Sequence, residues 1–179
     1  MGLVDLFDVL RVAVIVLAIA FYLASTAGRL DRLHIGVDAA KASLELQMSM
    51  RAETVAEVLA EGHVDPVSQQ LVSAALTRRR GFDVNNCAAE SELSLLLREL
   101  VDAYDGVVAE PELQRELQSA CNRVEFAYKF YNDAVEQTIQ MRLRPIVRYL
   151  GLAGHTAMPQ RVSCDVRAPE LITNASPSQ

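Results

Sequence analysis

The sequence predicts an all-α protein in which a single N-terminal transmembrane helix continues into an elongated up-down bundle of three to four helices. Three observations predict it. Sixteen residues without a charge, Val12 to Ala27 (VAVIVLAIAFYLASTA), lie near the N-terminus. Strong helix formers (Ala, Leu, Glu, Gln, Arg) abound in the rest of the chain, while Gly and Pro gather in a few places. Apolar residues then recur at alternating steps of three and four, the period of a packed helix.

The elements follow in order. Residues 1–8 form a short tail and residues 9–28 the span, because Val9 and Leu10 lengthen the apolar stretch and Arg11 and Arg29 can snorkel to the two headgroup layers. A cleaved signal peptide is the rival, with Ser25-Thr26-Ala27 as the cut, but Asp5 and Asp8 are the wrong charge for its basic start. Beyond Gly28, Leu30, Leu33, Val37, Ala40 and Leu44 keep a heptad seam that resumes at Val55 and Val58. No proline interrupts the chain before Pro66, so span and first bundle helix are expected to be continuous up to Gly62.

Asp65-Pro66 reads as an N-cap with proline at the first helical position. The second helix carries Val67, Leu71, Ala74 and Ala75 to Arg78-Arg79-Arg80, whose expected role is to complement the helix C-terminus before the turn Gly81–Asn86. A third helix is expected over Ala88 to Val108, ending around Gly106, with Leu93, Leu96, Leu97, Leu100, Val101 and Tyr104 as its apolar face. The fourth starts at Pro111 and holds the most regular seam: Leu113, Leu117, Ala120, Val124, Ala127, Tyr131, Ala134, Thr138 and Met141. Pro145 ends or kinks it. Residues 29–150 thus form the bundle. Residues 151–179 read as a flexible tail, within which Met158 to Val166 alternates weakly, a pattern compatible with lying extended along the bundle.

Charge and motifs exclude several functions. A net charge of −6 and a pI near 5.1 oppose nonspecific nucleic-acid binding. GxSxG, GxGxxG, P-loop and HExxH patterns are all absent. His34, His63 and His155 fall in a helix, a turn and the tail; Asp31 and His34 have a di-iron-like spacing without the second motif such sites need. Glu53, Glu57 and Glu61 share one helical face and read as solvated. No metal, cofactor or catalytic residue is expected. Cys87, Cys121 and Cys164 are far apart and odd in number, as reduced structural thiols would be, although an exported domain could pair two of them. Arg29, Arg32 and Lys41 after the span outnumber Arg11 and the terminal amine before it, which places the N-terminus outside and the bundle in the cytoplasm.

Polar residues near a packing seam need partners from another helix. Gln47 and Arg51 on the first helix and Asn132-Asp133 on the fourth meet that description, and an Arg51–Asp133 ion pair flanked by Gln47 and Asn132 is the expected structural cluster.

The same residues carry a family resemblance. Val37 to Val58 (VDAAKASLELQMSMRAETVAEV) resembles the first helix of LemA-type bacterial membrane proteins, and Phe130 to Val135 (Phe130, Tyr131, Asn132, Asp133, Ala134, Val135) resembles their late signature helix. Leu150 to Pro159 is loosely similar to the end of that family. Lys41, Met50 and Ala56 depart from its pattern, and Gly62 to Glu110 shows none of its wording, as in a divergent member. The resemblance implies a bundle tethered to the bacterial inner membrane with its short N-terminus outside, and neither cofactor nor active site. The expected function is that of a non-catalytic single-pass membrane protein whose bundle docks another membrane or cytoplasmic protein, or a second copy of itself. Lipid or amphiphile binding is the alternative, and a cryptic metal-dependent enzyme the more remote one.

Overall fold

The structure, a computed structural model, describes residues 3–61, 64–79, 87–106, 108–149 and 158–171. It is all-helical, with no strand among the described residues: α1 (Leu3–Ala60), α2 (Pro66–Arg78), α3 (Cys87–Ala103), α4 (Pro111–Arg142) and α5 (Pro145–Tyr149). The ends have local causes. Asp65 caps α2 by accepting from the backbone N–H groups of Val67 and Ser68, both at 3.0 Å, with Pro66 behind it. Gln69 Nε2 donates to the carbonyl of Leu59 and so satisfies one of the open carbonyls at the end of α1.

α3 stops at Ala103, five residues short of the expected Val108. Asp105 turns left-handed at φ 51° and Gly106 follows at φ 79°, so the Gly106 N–H reaches back 2.8 Å to the Val101 carbonyl. Gln114, buried on α4, then braces the turn: its amide donates to Gly106 O at 2.8 Å and its carbonyl accepts from Val108 N at 3.2 Å.

Instead of the single bundle expected over 29–150, the chain divides into two compact units. The first comprises residues 1–38 and 134–159. It holds the apolar stretch of α1, one helix long and apolar enough to cross a membrane, with mean hydropathy 2.3 in its richest window and none of that window buried; a signal sequence would pass the same test. Three helical segments contribute here, the first part of α1, the end of α4 and the short α5, and the core is small: Leu30, Met141 and Val147, with Leu33 against them.

The second unit comprises residues 39–133 and 160–179. The rest of α1 supplies Leu44, Met48, Arg51, Val55 and Val58 at steps of four and three, all buried. Of these, Val55 and Val58 share one core with Val72 and Ala75 of α2, Leu93, Leu97, Leu100 and Val101 of α3, and Leu117 and Cys121 of α4.

Part of the expected flexible tail belongs to this core. Val162, Cys164 and Val166 are buried while Arg161, Ser163, Asp165 and Arg167 between them are exposed, the period of two of an extended strap. The expectation of reduced thiols is also corrected: Cys164 forms a disulfide with Cys87 at the start of α3, Cα–Cα 5.1 Å and 77 residues apart, and Cys121 alone is free and buried. Residues 151–157 and 172–179 of that tail, with the turn 81–86, lie outside the described residues.

Closing so long a loop removes unfolded-state entropy, so reduction is expected to cost about 2–4 kcal/mol in chemical denaturation. It should also release the strap backbone around the already exposed Arg161 and Arg167, so that trypsin cuts there faster. Mass spectrometry of digests with and without reductant checks this; equal cleavage rates would show that the disulfide does not hold the strap.

Candidate functional site

Among the described residues, the core of the second unit admits a buried carboxylate and the cations around it. α3 presents Glu90, Leu93, Ser94, Leu97, Leu100 and Val101 on one stripe, so Glu90 and Ser94 enter the interior with the leucines. Glu90 is 0% exposed. Its Oε2 accepts from an Arg51 Nη at 2.6 Å, and its Oε1 accepts from Arg79 Nε. The other Arg51 Nη donates to Ser94 Oγ at 3.0 Å. Arg51 is itself 1% exposed, with Nε buried and unpartnered, and Gln47 Oε1 is in the same condition.

Arg51 therefore sits in the seam as its spacing predicts, but its partner is Glu90 of α3 and not Asp133 of α4. Asp133 is exposed, and Gln47 is half-buried because Met48 takes the seam position beside it. The two described cations of the arginine cluster stand at the end of α2 as the dipole role expects, and each also takes an acid of α3. Arg79 is the C-cap of α2 and a buried partner of Glu90; Arg78 makes an exposed pair with Glu92 at 2.9 Å; Arg80 lies outside the described residues. The signal for Glu90 was present in its i, i+3, i+4, i+7 relation to Leu93, Ser94 and Leu97, where an acid stands in an apolar stripe.

Asn132 has another role. Its Oδ1 accepts from Val162 N at 3.1 Å and its Nδ2 donates to Val162 O at 3.2 Å, a two-point grip on the strap backbone. Tyr128 Oη, one turn earlier, donates to Val162 O at 2.8 Å and accepts from Cys164 N at 3.2 Å; Tyr131 Oη donates to Gln160 O at 3.2 Å. From α3, Ser91 Oγ accepts from Asp165 N at 3.0 Å and Arg98 pairs with Asp165 at 2.7 Å. Within the signature helix Phe130 to Val135, Tyr131 and Val135 are buried, Ala134 is half-buried, and Phe130 is 67% exposed. Phe126, one turn before it, is 69% exposed.

The electrostatics are those of a closed structure. Burial pushes the Cys121 thiol up, against a smaller lowering by nearby Arg51, which leaves it a poor nucleophile at neutral pH. The hydrogen bond from Arg98 holds Asp165 below the usual carboxylate range, and the hydrogen bond from Lys129 does the same for Glu125. Among the described residues no three His, Cys, Asp or Glu side chains converge as metal ligands. His34 Nδ1 sits 2.9 Å from the Leu30 carbonyl on its own helix, Asp31 is exposed, and Glu53, Glu57 and Glu61 are exposed as expected. His63 and His155 lie outside the described residues.

Comparisons with protein-family models, with curated proteins and with solved structures find no match to this chain.

Three outcomes follow from this geometry. Glu90→Leu strands two guanidinium groups and should cost about 3–5 kcal/mol, of which the further change Arg51→Met restores a large part; denaturation of the single and double variants measures the coupling. Asn132→Ala should cost about 1–2 kcal/mol and speed amide exchange at Val162, whereas Asp133→Ala leaves both unchanged. Because Asp165 is held below its unfolded value, its contribution is complete above that value and fades as pH falls through the folded one. Acid should therefore loosen the strap below about pH 4, and Asp165→Asn should remove that pH dependence in an exchange experiment.

Proposed function

We propose that this chain is a non-catalytic, LemA-like membrane protein that holds a helical docking module at the oxidising face of the cell-envelope membrane. The observation that carries the location is the Cys87–Cys164 disulfide, since such bonds persist in oxidising compartments and are rare in the cytosol. It supports the orientation opposite to the one expected from loop charge, with the N-terminus in the cytoplasm. The charge difference is small: Lys41 lies about 20 Å of helix beyond the apolar stretch, and without it Arg29 and Arg32 only equal Arg11 and the terminal amine. The exposed apolar stretch of α1 supports the anchor.

The non-catalytic reading is supported by how the titratable groups of the second unit are used. Glu90 is saturated by two cations, and Cys121 is buried with a raised pKa. For docking, Phe126 and Phe130 offer adjacent exposed rings on the face of α4 away from its buried seam, and aromatic side chains are enriched among residues that anchor protein interfaces.

A photo-crosslinking residue at position 130, activated in native membranes, should capture one discrete protein, and Phe126→Ala should reduce that yield. Recovery of the chain only with itself would replace docking by self-association. A membrane-impermeant maleimide carrying a mass tag should label Cys87 and Cys164 of intact cells only after reduction. Labelling that requires permeabilisation would reverse the orientation.

A further inference from the structure

The first unit contains a cleft of about 480 Å³ at the end of the apolar stretch, within the size range of small-ligand sites. Its floor is Met141, Pro145 and Val147; its rim carries Ser25, Arg29 and Arg144. Tyr22 and Thr26 close the α1 side, where the buried Thr26 hydroxyl is turned onto the Tyr22 carbonyl at 2.8 Å. We propose that this cleft binds the phosphate headgroup of an anionic membrane lipid, with the apolar floor receiving the start of its acyl chains.

The charge balance points to an anion. Two guanidinium groups line one cleft, no carboxylate lines it, and neither Arg29 nor Arg144 has an ion-pair partner among the described residues. Like charges gathered without a counter-charge repel, and arginine pairs bidentately with phosphate oxygens. The exposed Ser25 hydroxyl adds a donor on the same rim.

The position points to a lipid. From Tyr22 to Arg29 α1 rises about 10 Å, which carries the cleft from the last turns of the apolar stretch into the depth of a headgroup layer. Leu143 in the turn after α4 and Tyr149 at the end of α5, 60% and 90% exposed, flank it in the chain as interfacial anchors would. A free phosphate ion would leave the apolar floor without a role. This inference rests on the membrane-anchor part of the proposed function and is independent of sidedness.

The test uses the full chain in detergent and native mass spectrometry, with phosphatidylglycerol, phosphatidylcholine of the same acyl chains, or inorganic phosphate as probes. One phosphatidylglycerol should be retained, bound at least about tenfold more tightly than phosphatidylcholine, and excess phosphate should not displace it. Arg29→Gln with Arg144→Gln should weaken it about tenfold or more, the loss of one charge-assisted pair or more. Arg32→Gln with Arg148→Gln, an equal charge loss outside the cleft, should leave it within about twofold. Ser25→Trp, which fills the rim at constant charge, should abolish retention and guards against misfolding of the arginine variant.

Equal losses in the two double variants, equal affinity for the two lipids, displacement by phosphate, or full retention by Ser25→Trp would each overturn the proposal. Carbonate extraction separates the failures. A chain washed from membranes defeats the anchor, whereas a chain retained without a phosphatidylglycerol preference defeats only the cleft.

Discussion

The second unit depends on one carboxylate. Glu90 has no exposure to water and lies between Arg51 of α1 and Arg79 at the end of α2, so a single side chain ties three helices to one another. A buried charge pair adds little net stability, because desolvation offsets much of its attraction. Its force lies in what it forbids. Sliding α3 by one turn would leave two guanidinium groups and a carboxylate unpaired in a hydrocarbon interior, while the leucines around them could repack with less loss. The ion pair sets the register, and the apolar core supplies the driving force.

α3 is consequently used on two sides. Glu90, Leu93, Ser94 and Leu97 face the interior, while Cys87, Ser91 and Arg98 hold the strap through a disulfide, a hydroxyl and an ion pair. Tyr128, Tyr131 and Asn132 of α4 serve the same strap. Asn132 takes the N–H and the carbonyl of one residue, Val162; the Tyr128 hydroxyl shares that carbonyl and takes Cys164 N, and the Tyr131 hydroxyl takes Gln160 O. An extended segment without sheet partners must satisfy its backbone on side chains, and Tyr and Asn at successive turns of a helix provide them. Phe130, on another face of α4, is left exposed.

The legibility of these features varied with how local their causes are. Asp65-Pro66 and Pro111 announced helix starts, since capping is decided within four residues. The α1 and α4 seams predicted which side chains are buried, and even Arg51 declared itself by standing where a methionine or valine was due. Asp133 is the partner the sequence suggests, because it lies beside the aromatic run of α4. Glu90 does not stand out in the sequence, because an acid in the first turn of a helix already has an accepted reason to be there, the dipole. The strap shows in the sequence only as the weak alternation of Met158 to Val166, because three small apolar residues, Val162, Cys164 and Val166, do not distinguish a packed segment from a tail.

By itself, the sequence determined the helical class, the apolar stretch of α1, the placement of the caps and the face each long helix buries. These are effects of neighbours three or four residues apart, and they act in any tertiary setting. Tertiary structure alone decided that Arg51 meets Glu90 across 39 residues, that Cys87 meets Cys164 across 77, that the chain forms two units, and that Arg29 and Arg144 line one cleft. Such meetings depend on which loops close and which surfaces pack, and no local period records them.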